Sequence, residues 1–173
     1  MNEETLIKQI KNGNKALFED LIKLYYDDVY RFIYYKTNNP DSSYDLTQET
    51  FIKMIKYFNS YSGKGKFKSY LFKIACNICN DYYKKQITDK YNITVSEEIF
   101  YNQADTQLNQ ITVEQLLHKL PAFQSETIIY KYILGYKISE IADITNENIS
   151  TVKSRLKQGL EKMKKYLEKE DSQ

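Results

Sequence analysis

Ile138-Ser139-Glu140-Ile141-Ala142-Asp143-Ile144-Thr145-Asn146-Glu147-Asn148-Ile149-Ser150-Thr151-Val152-Lys153-Ser154-Arg155-Leu156 is the stretch whose reading decides the fold. Ile138, Ile141, Ala142 and Ile144 recur at the spacing of a short helix with one apolar face. Thr145-Asn146-Glu147 then reads as a tight turn, in which Asn146 tolerates the left-handed conformation. Asn148 is suited to cap a second helix, its side chain reaching the backbone near Thr151. Along that helix Val152, Leu156, Leu160, Met163 and Leu167 form the expected inward stripe. Ser150, Ser154, Lys157 and Glu161 point roughly opposite, flanked by Thr151, Lys153 and Gln158. Hydroxyl, amide and ammonium groups near the start of a second helix suit base edges and phosphates. Arg155 lies nearer the buried flank, where a buttressing ion pair and a phosphate contact are equally open to it.

Working toward the amino terminus, apolar periodicity predicts helices over about 113–120 and 121–134. The segment 86–109 is polar, poorly periodic and mildly acidic, and reads as a tether. Before it the pattern predicts helices over 3–12, from Asn14 to the break at Asn38-Asn39-Pro40-Asp41, from Ser42 to Tyr57, and from Phe67 to Lys85. The third helix shows Leu46, Phe51, Ile52 and Ile55 as its apolar stripe. Ser60-Tyr61-Ser62-Gly63-Lys64-Gly65-Lys66 is a basic loop. The fold class expected is all-α, two small helical domains joined by a flexible tether, with boundaries at 1–87, 88–110 and 111–173.

The net charge of +2 conceals a segregation. Residues 1–85 carry 14 basic against 10 acidic side chains, whereas residues 86–112 carry 1 against 4. Six lysines between Lys64 and Lys85 face Asp81 alone, and six basic residues between Lys153 and Lys165 face Glu161 alone. Such clusters suit polyanions even where the overall charge is modest. No apolar run reaches the roughly 18–20 residues that span a membrane. The first residues lack a secretory signal pattern, so a cytoplasmic location is expected. Cys76 and Cys79 sit in an apolar helical pattern with Ile74, Ala75 and Ile78 and read as buried, inert thiols. With His118 the sole histidine, no structural zinc set is available. Asp27, Asp28, Asp45 and Glu49 could hold magnesium, but a solvated or docking role suits them better. No convergent catalytic group is found; no enzyme activity, cofactor or metal is expected.

Asp45-Leu46-Thr47-Gln48-Glu49-Thr50-Phe51 brings an acid, an amide and an acid together on one helix face, since residues three and four apart are neighbours. An acidic face edged with apolar residues suits docking on a basic protein partner.

The combination resembles the bacterial sigma factors of the extracytoplasmic-function type over nearly the whole chain. Ala16-Leu17-Phe18-Glu19-Asp20-Leu21, Tyr25-Tyr26 and Val29-Tyr30-Arg31-Phe32 look like the opening of their region 2. Asp45 to Lys53 resembles their polymerase-binding helix, and Phe67 to Asn77 the helix that shapes the minus-ten site. Leu120-Pro121, Gly135 to Ala142 and Thr151 to Leu156 look like region 4. The resemblance implies that Asp45, Leu46, Gln48, Glu49 and Phe51 dock on core RNA polymerase, whose clamp and flap are the expected contact regions. It further implies minus-ten contacts from Ser60, Tyr61, Lys64, Lys66, Lys73, Asn77 and Asn80, with Asn77 reading an unstacked base. Minus-thirty-five contacts would come from Ser150, Thr151, Lys153, Ser154, Arg155, Lys157 and Gln158. Promoter DNA and an anti-sigma factor are the other implied partners. Gln158 stands where the family often has arginine, and Gly159 follows it in mid-helix. A helix-turn-helix alone would equally fit a conventional regulator that binds an operator independently of polymerase.

Overall fold

The computed structural model describes residues 2–62, 66–91 and 112–170, with backbone alone for 87–91 and 170. Every regular element among the described residues is helical. Helix α1 (Glu3–Lys11) is capped by Asn2, whose side chain accepts from the Thr5 amide at 2.9 Å. A single 3-10 turn over Lys15–Leu17 leads into α2 (Phe18–Thr37), which ends on Asn38 in the left-handed conformation. Asn39 caps α3 (Pro40–Lys56) through the Ser42 amide, and Pro40 takes the first turn, where its missing N–H costs nothing.

The buried face of α3 differs from the expected stripe. Ser43, Leu46, Thr47, Thr50, Phe51 and Met54 face inward, whereas Ile52 and Ile55 are exposed. The hydroxyls of Thr47 and Thr50 donate to the carbonyls of Ser43 and Leu46 at 2.7 Å each, and Thr37 on α2 lies 2.8 Å from Ser43. Each buried hydroxyl is thus satisfied locally. Small side chains let α2 and α3 approach closely, and that turns the bulkier isoleucines outward.

Helix α4 (Phe67–Tyr91) crosses α2 and α3 and runs six residues beyond the expected stop at Lys85. Neither glycine nor proline occurs between Gly65 and Pro121 to end it. Residues 92–111, which hold most of the expected tether, lie outside the described residues.

The carboxy-terminal unit comprises α5 (Val113–His118), α6 (Ala122–Ile128), α7 (Ile138–Thr145) and α8 (Ile149–Glu170). Thr112 and Gln115 form a reciprocal capping box at the start of α5. After α6 the helix widens into a π-turn over Ile129–Ile133, and the Leu134 amide donates back to the Ile129 carbonyl at 3.0 Å. The inward face of α8 is Val152, Leu156 and Gly159, continued by half-buried Met163 and Tyr166. Leu160 and Leu167, expected inward, are exposed, because Gly159 and Tyr166 occupy the contact positions one residue earlier.

The two units share one apolar cluster. Phe32 of α2 stacks on Tyr130 at 5.1 Å between centroids, and Phe72 of α4 meets Tyr130 edge-on at 5.3 Å. Tyr136 completes the set, its hydroxyl donating to Asp28. Burial of the Tyr136 phenol, then that bond, hold it above the ordinary tyrosine range.

Candidate polymerase- and promoter-binding surfaces

On α3, Asp45, Gln48 and Glu49 project into solvent, and Glu49 pairs with Lys53 at 2.8 Å. Leu46 and Phe51, expected on the same docking face, are instead buried. Phe51 stacks on Tyr26 from α2 at 6.1 Å. Their place on the surface is taken by Tyr44, Ile52 and Ile55. By periodicity Ile52 and Ile55 belong to one inward stripe with Leu46 and Phe51, and Tyr44 belongs to no stripe at all. The polar Ser43, Thr47 and Thr50 at three- and four-residue spacing were the signal available.

Along α4, Lys73, Asn77 and Asn80 are exposed at helical spacing and therefore share a face. On the inward side Cys79 is buried, and half-buried Cys76, beside Lys73 and Asn80 on the helix, lies 3.8 Å from the Tyr130 hydroxyl. Burial pushes the Cys79 thiol up to about 12 and the Cys76 thiol higher still, so both are protonated near neutrality. Tyr61, expected beside DNA, is buried. It stacks on Tyr70 at 5.2 Å, meets Phe67 at 5.5 Å, and its carbonyl accepts from Lys11. The ring is packed into the core between Tyr70 and Lys11 and has no face left for a base. Ser60 remains exposed, its hydroxyl donating to the Tyr57 carbonyl at 2.6 Å. Lys66 pairs with Asp143 of α7 at 2.9 Å. Lys64 lies outside the described residues.

The turn before α8 follows its sequence signals. Asn146 has φ 55°, and Asn148 Oδ1 accepts from the Thr151 amide at 2.8 Å. The same oxygen takes the hydroxyl protons of Thr151 and Ser150 at 2.9 and 2.5 Å. Those two protons are engaged within the cap, so neither hydroxyl can donate to a phosphate without releasing Asn148. Arg155 is drawn inward: its guanidinium pairs with Glu147 at 2.6 Å and lies 5.2 Å from the Phe123 ring. Lys153, Ser154, Lys157 and Gln158 form the outward face.

Sequence comparison places both surfaces in known segments. Residues 21–87 match Sigma-70 region 2, and residues 110–163 match Sigma-70 region 4. The chain is 30% identical to the ECF RNA polymerase sigma factor SigW of Bacillus subtilis, over 93% of its own length and 94% of that protein. The chain belongs to the ECF RNA polymerase sigma factors. It shares 29% identity with the RNA polymerase sigma factor SigV of the same organism, over 93% of this chain and 97% of that one. The fold of this sigma factor also resembles CnrH, solved in complex with the cytosolic domain of CnrY. That match has a TM-score of 0.72 at 17% identity, over 96% of this chain and 97% of the other. RpoE of Bartonella quintana, solved with the anti-sigma factor NepR, matches with a TM-score of 0.64 at 22% identity, over 87% and 96%. As an ECF sigma factor the protein binds core RNA polymerase, recognises the minus-ten and minus-thirty-five promoter elements and promotes DNA melting at initiation. None of the described helices is long and apolar enough to cross a membrane.

Proposed function

We propose the following division of labour within this sigma factor. Residues 1–87 bind core polymerase and the minus-ten element, 88–110 connect, and 111–173 bind the minus-thirty-five element. On α3 the polymerase contacts are Asp45, Gln48 and Glu49 together with Tyr44, Ile52 and Ile55, while Leu46 and Phe51 set that face from beneath. Ser60, Lys66, Lys73, Asn77 and Asn80 follow the opened minus-ten strand, with Asn77 as the base reader. Lys153, Ser154, Lys157 and Gln158 enter the major groove at the minus-thirty-five element.

The observation that carries this reading is the contrast between two exposed helix faces. Carboxylates beside bare isoleucines on α3 suit a protein with basic and apolar groups, whereas ammonium, hydroxyl and amide groups on α8 suit DNA. The protein acts in the cytoplasm by binding alone, without catalysing a reaction. An anti-sigma protein holds it inactive; the fold match to RpoE, solved with NepR, supports a partner of that kind. The test is transcription by purified core polymerase over a promoter library, with and without the full chain. Promoter-specific initiation that needs the chain and is lost on Asp45→Lys with Glu49→Lys supports the assignment. Undiminished initiation by that variant refutes the docking face.

A further inference from the structure

Gln158-Gly159 departs from the family resemblance, and the structure gives both residues one purpose. A Cβ on Gly159 would stand 2.7 Å from Ile128 Cδ1 and 3.4 Å from Gln124 Cβ. The bare glycine therefore lets α6 press against the back of α8. That approach brings the buried side chain of Gln124, 2% exposed, to the edge of the outward face. Gln124 Nε2 donates to Gln158 Oε1 at 3.1 Å, and Gln158 Nε2 donates to Ser154 Oγ at 3.1 Å. Gln124 Oε1 is itself buried without a hydrogen-bond partner. Burying an amide that is only half satisfied costs stability, and leucine or methionine would fill the same space without that cost. Packing alone gives no reason for glutamine here.

We propose that Gln124 is a specificity-positioning residue, holding the Gln158 amide in one orientation so that its free edge reads an adenine of the minus-thirty-five element. This rests on the reading of α8 as the minus-thirty-five helix. An amide oxygen has two lone pairs and an amide nitrogen two hydrogens. With one of each taken by Gln124 and Ser154, Gln158 retains one acceptor and one donor. Adenine presents the complement in the major groove, its N6 amine donating and its N7 accepting. A glutamine free to turn over would offer either arrangement. Anchored at both ends, it offers one, and the ordering cost is met before DNA arrives.

The experiment measures initiation by holoenzyme, assembled from core polymerase and the full chain, on promoters randomised one minus-thirty-five position at a time. Wild type, Q158A, Q124M, Q124N and the Q124M/Q158A double variant are compared, with melting temperatures recorded for each. Q158A loses discrimination at one A·T pair by about tenfold. Q124M and Q124N weaken discrimination at that same pair, leave the minus-ten preferences alone, and Q124M adds nothing once Gln158 is alanine. Methionine fills the site and asparagine keeps an amide too short to reach, so a shared effect on one base pair is not a packing effect. Uniform weakening across all positions, or an equal Q124M effect in the Q158A background, overturns the proposal. If K153A and S154A alter minus-thirty-five use while Q158A does not, the positioning role falls and the reading of α8 stands. Should no α8 substitution alter it, that reading falls too.

Discussion

Glu126 of α6 places its Oε1 atom 2.6 Å from Lys36 Nζ of α2, joining the two helical units through an ion pair that is largely hidden from water. Burial pulls the Lys36 ammonium pKa down; the Glu126 carboxylate opposes this most strongly, with Cys76 and Cys79 adding to it, and the group stands above the ordinary lysine range. The pair is bordered by Phe32, whose ring centroid lies 5.9 Å from the ammonium. Removing one partner of a buried pair leaves an uncompensated charge. Glu126→Ala is therefore expected to destabilise the closed packing by about 3 kcal/mol. A thiol reagent checks this, because half-buried Cys76 lies in the same interface against Tyr130. Labelling of Cys76 accelerates in the variant if the units separate. By contrast Asp143→Asn breaks the exposed pair with Lys66 and shifts stability by less than about 1 kcal/mol. Equal labelling rates in wild type and Glu126→Ala would show that the pair does not hold the units together.

The local parts of this arrangement were legible in the sequence, and the long-range parts were not. Asn146 and Asn148 act within three residues of themselves, so the turn and the cap could be read directly. The meeting of Phe32 with Tyr130 joins residues almost a hundred positions apart. Nothing in either helix pattern announces it. Gln124 is silent in the sequence for the same reason: its meaning depends on Gly159, across the α6–α8 contact. Ile52 and Ile55 are illegible in a periodic pattern for another reason: hydrophobicity does not imply burial, and many apolar side chains remain at a protein surface.

Phe51 and Ile52 are adjacent in sequence and opposite in consequence. Phe51 is 5% exposed and Ile52 is 62% exposed. Phe51→Ala should lower stability by about 3–5 kcal/mol through the cavity it opens. Ile52→Glu should change stability by no more than about 0.5 kcal/mol. It should nevertheless weaken core-polymerase binding by about tenfold or more, as loss of an apolar anchor in an interface does. Chemical denaturation and a binding titration on purified core polymerase separate the two. Wild-type affinity in Ile52→Glu would move the docking face off this side of α3.

Arg155 and Lys153 should differ in their response to salt. Arg155 is committed to Glu147 and the face of Phe123, whereas Lys153 projects outward. Each phosphate contact contributes close to one unit to the slope of log affinity against log salt. Lys153→Ala should reduce the slope for promoter binding by about one. Arg155→Ala should leave the slope unchanged and lower stability by about 1 kcal/mol, the worth of a lost partly buried hydrogen-bonded pair. A lowered slope in Arg155→Ala would mean that the arginine leaves Glu147 to meet phosphate.

Gly159 offers a case in which helix propensity and packing oppose each other. Alanine in mid-helix is favoured over glycine by about 1 kcal/mol. At this position its Cβ would lie 2.7 Å from Ile128 Cδ1, closer than two carbons can rest. Ile128 is 3% exposed and is packed where α6 meets α8, so the methyl has little room to withdraw. Gly159→Ala should therefore destabilise the protein despite its propensity gain. Ile128→Val deletes the obstructing methyl and alone should cost about 1 kcal/mol. In that background Gly159→Ala should become neutral or stabilising, since the remaining neighbours stand at 3.4 and 3.6 Å, within ordinary contact. A thermal-melting cycle over the four proteins measures the coupling. Additive effects would show that Ile128 is not the obstacle, and that glycine was not needed for the approach of α6.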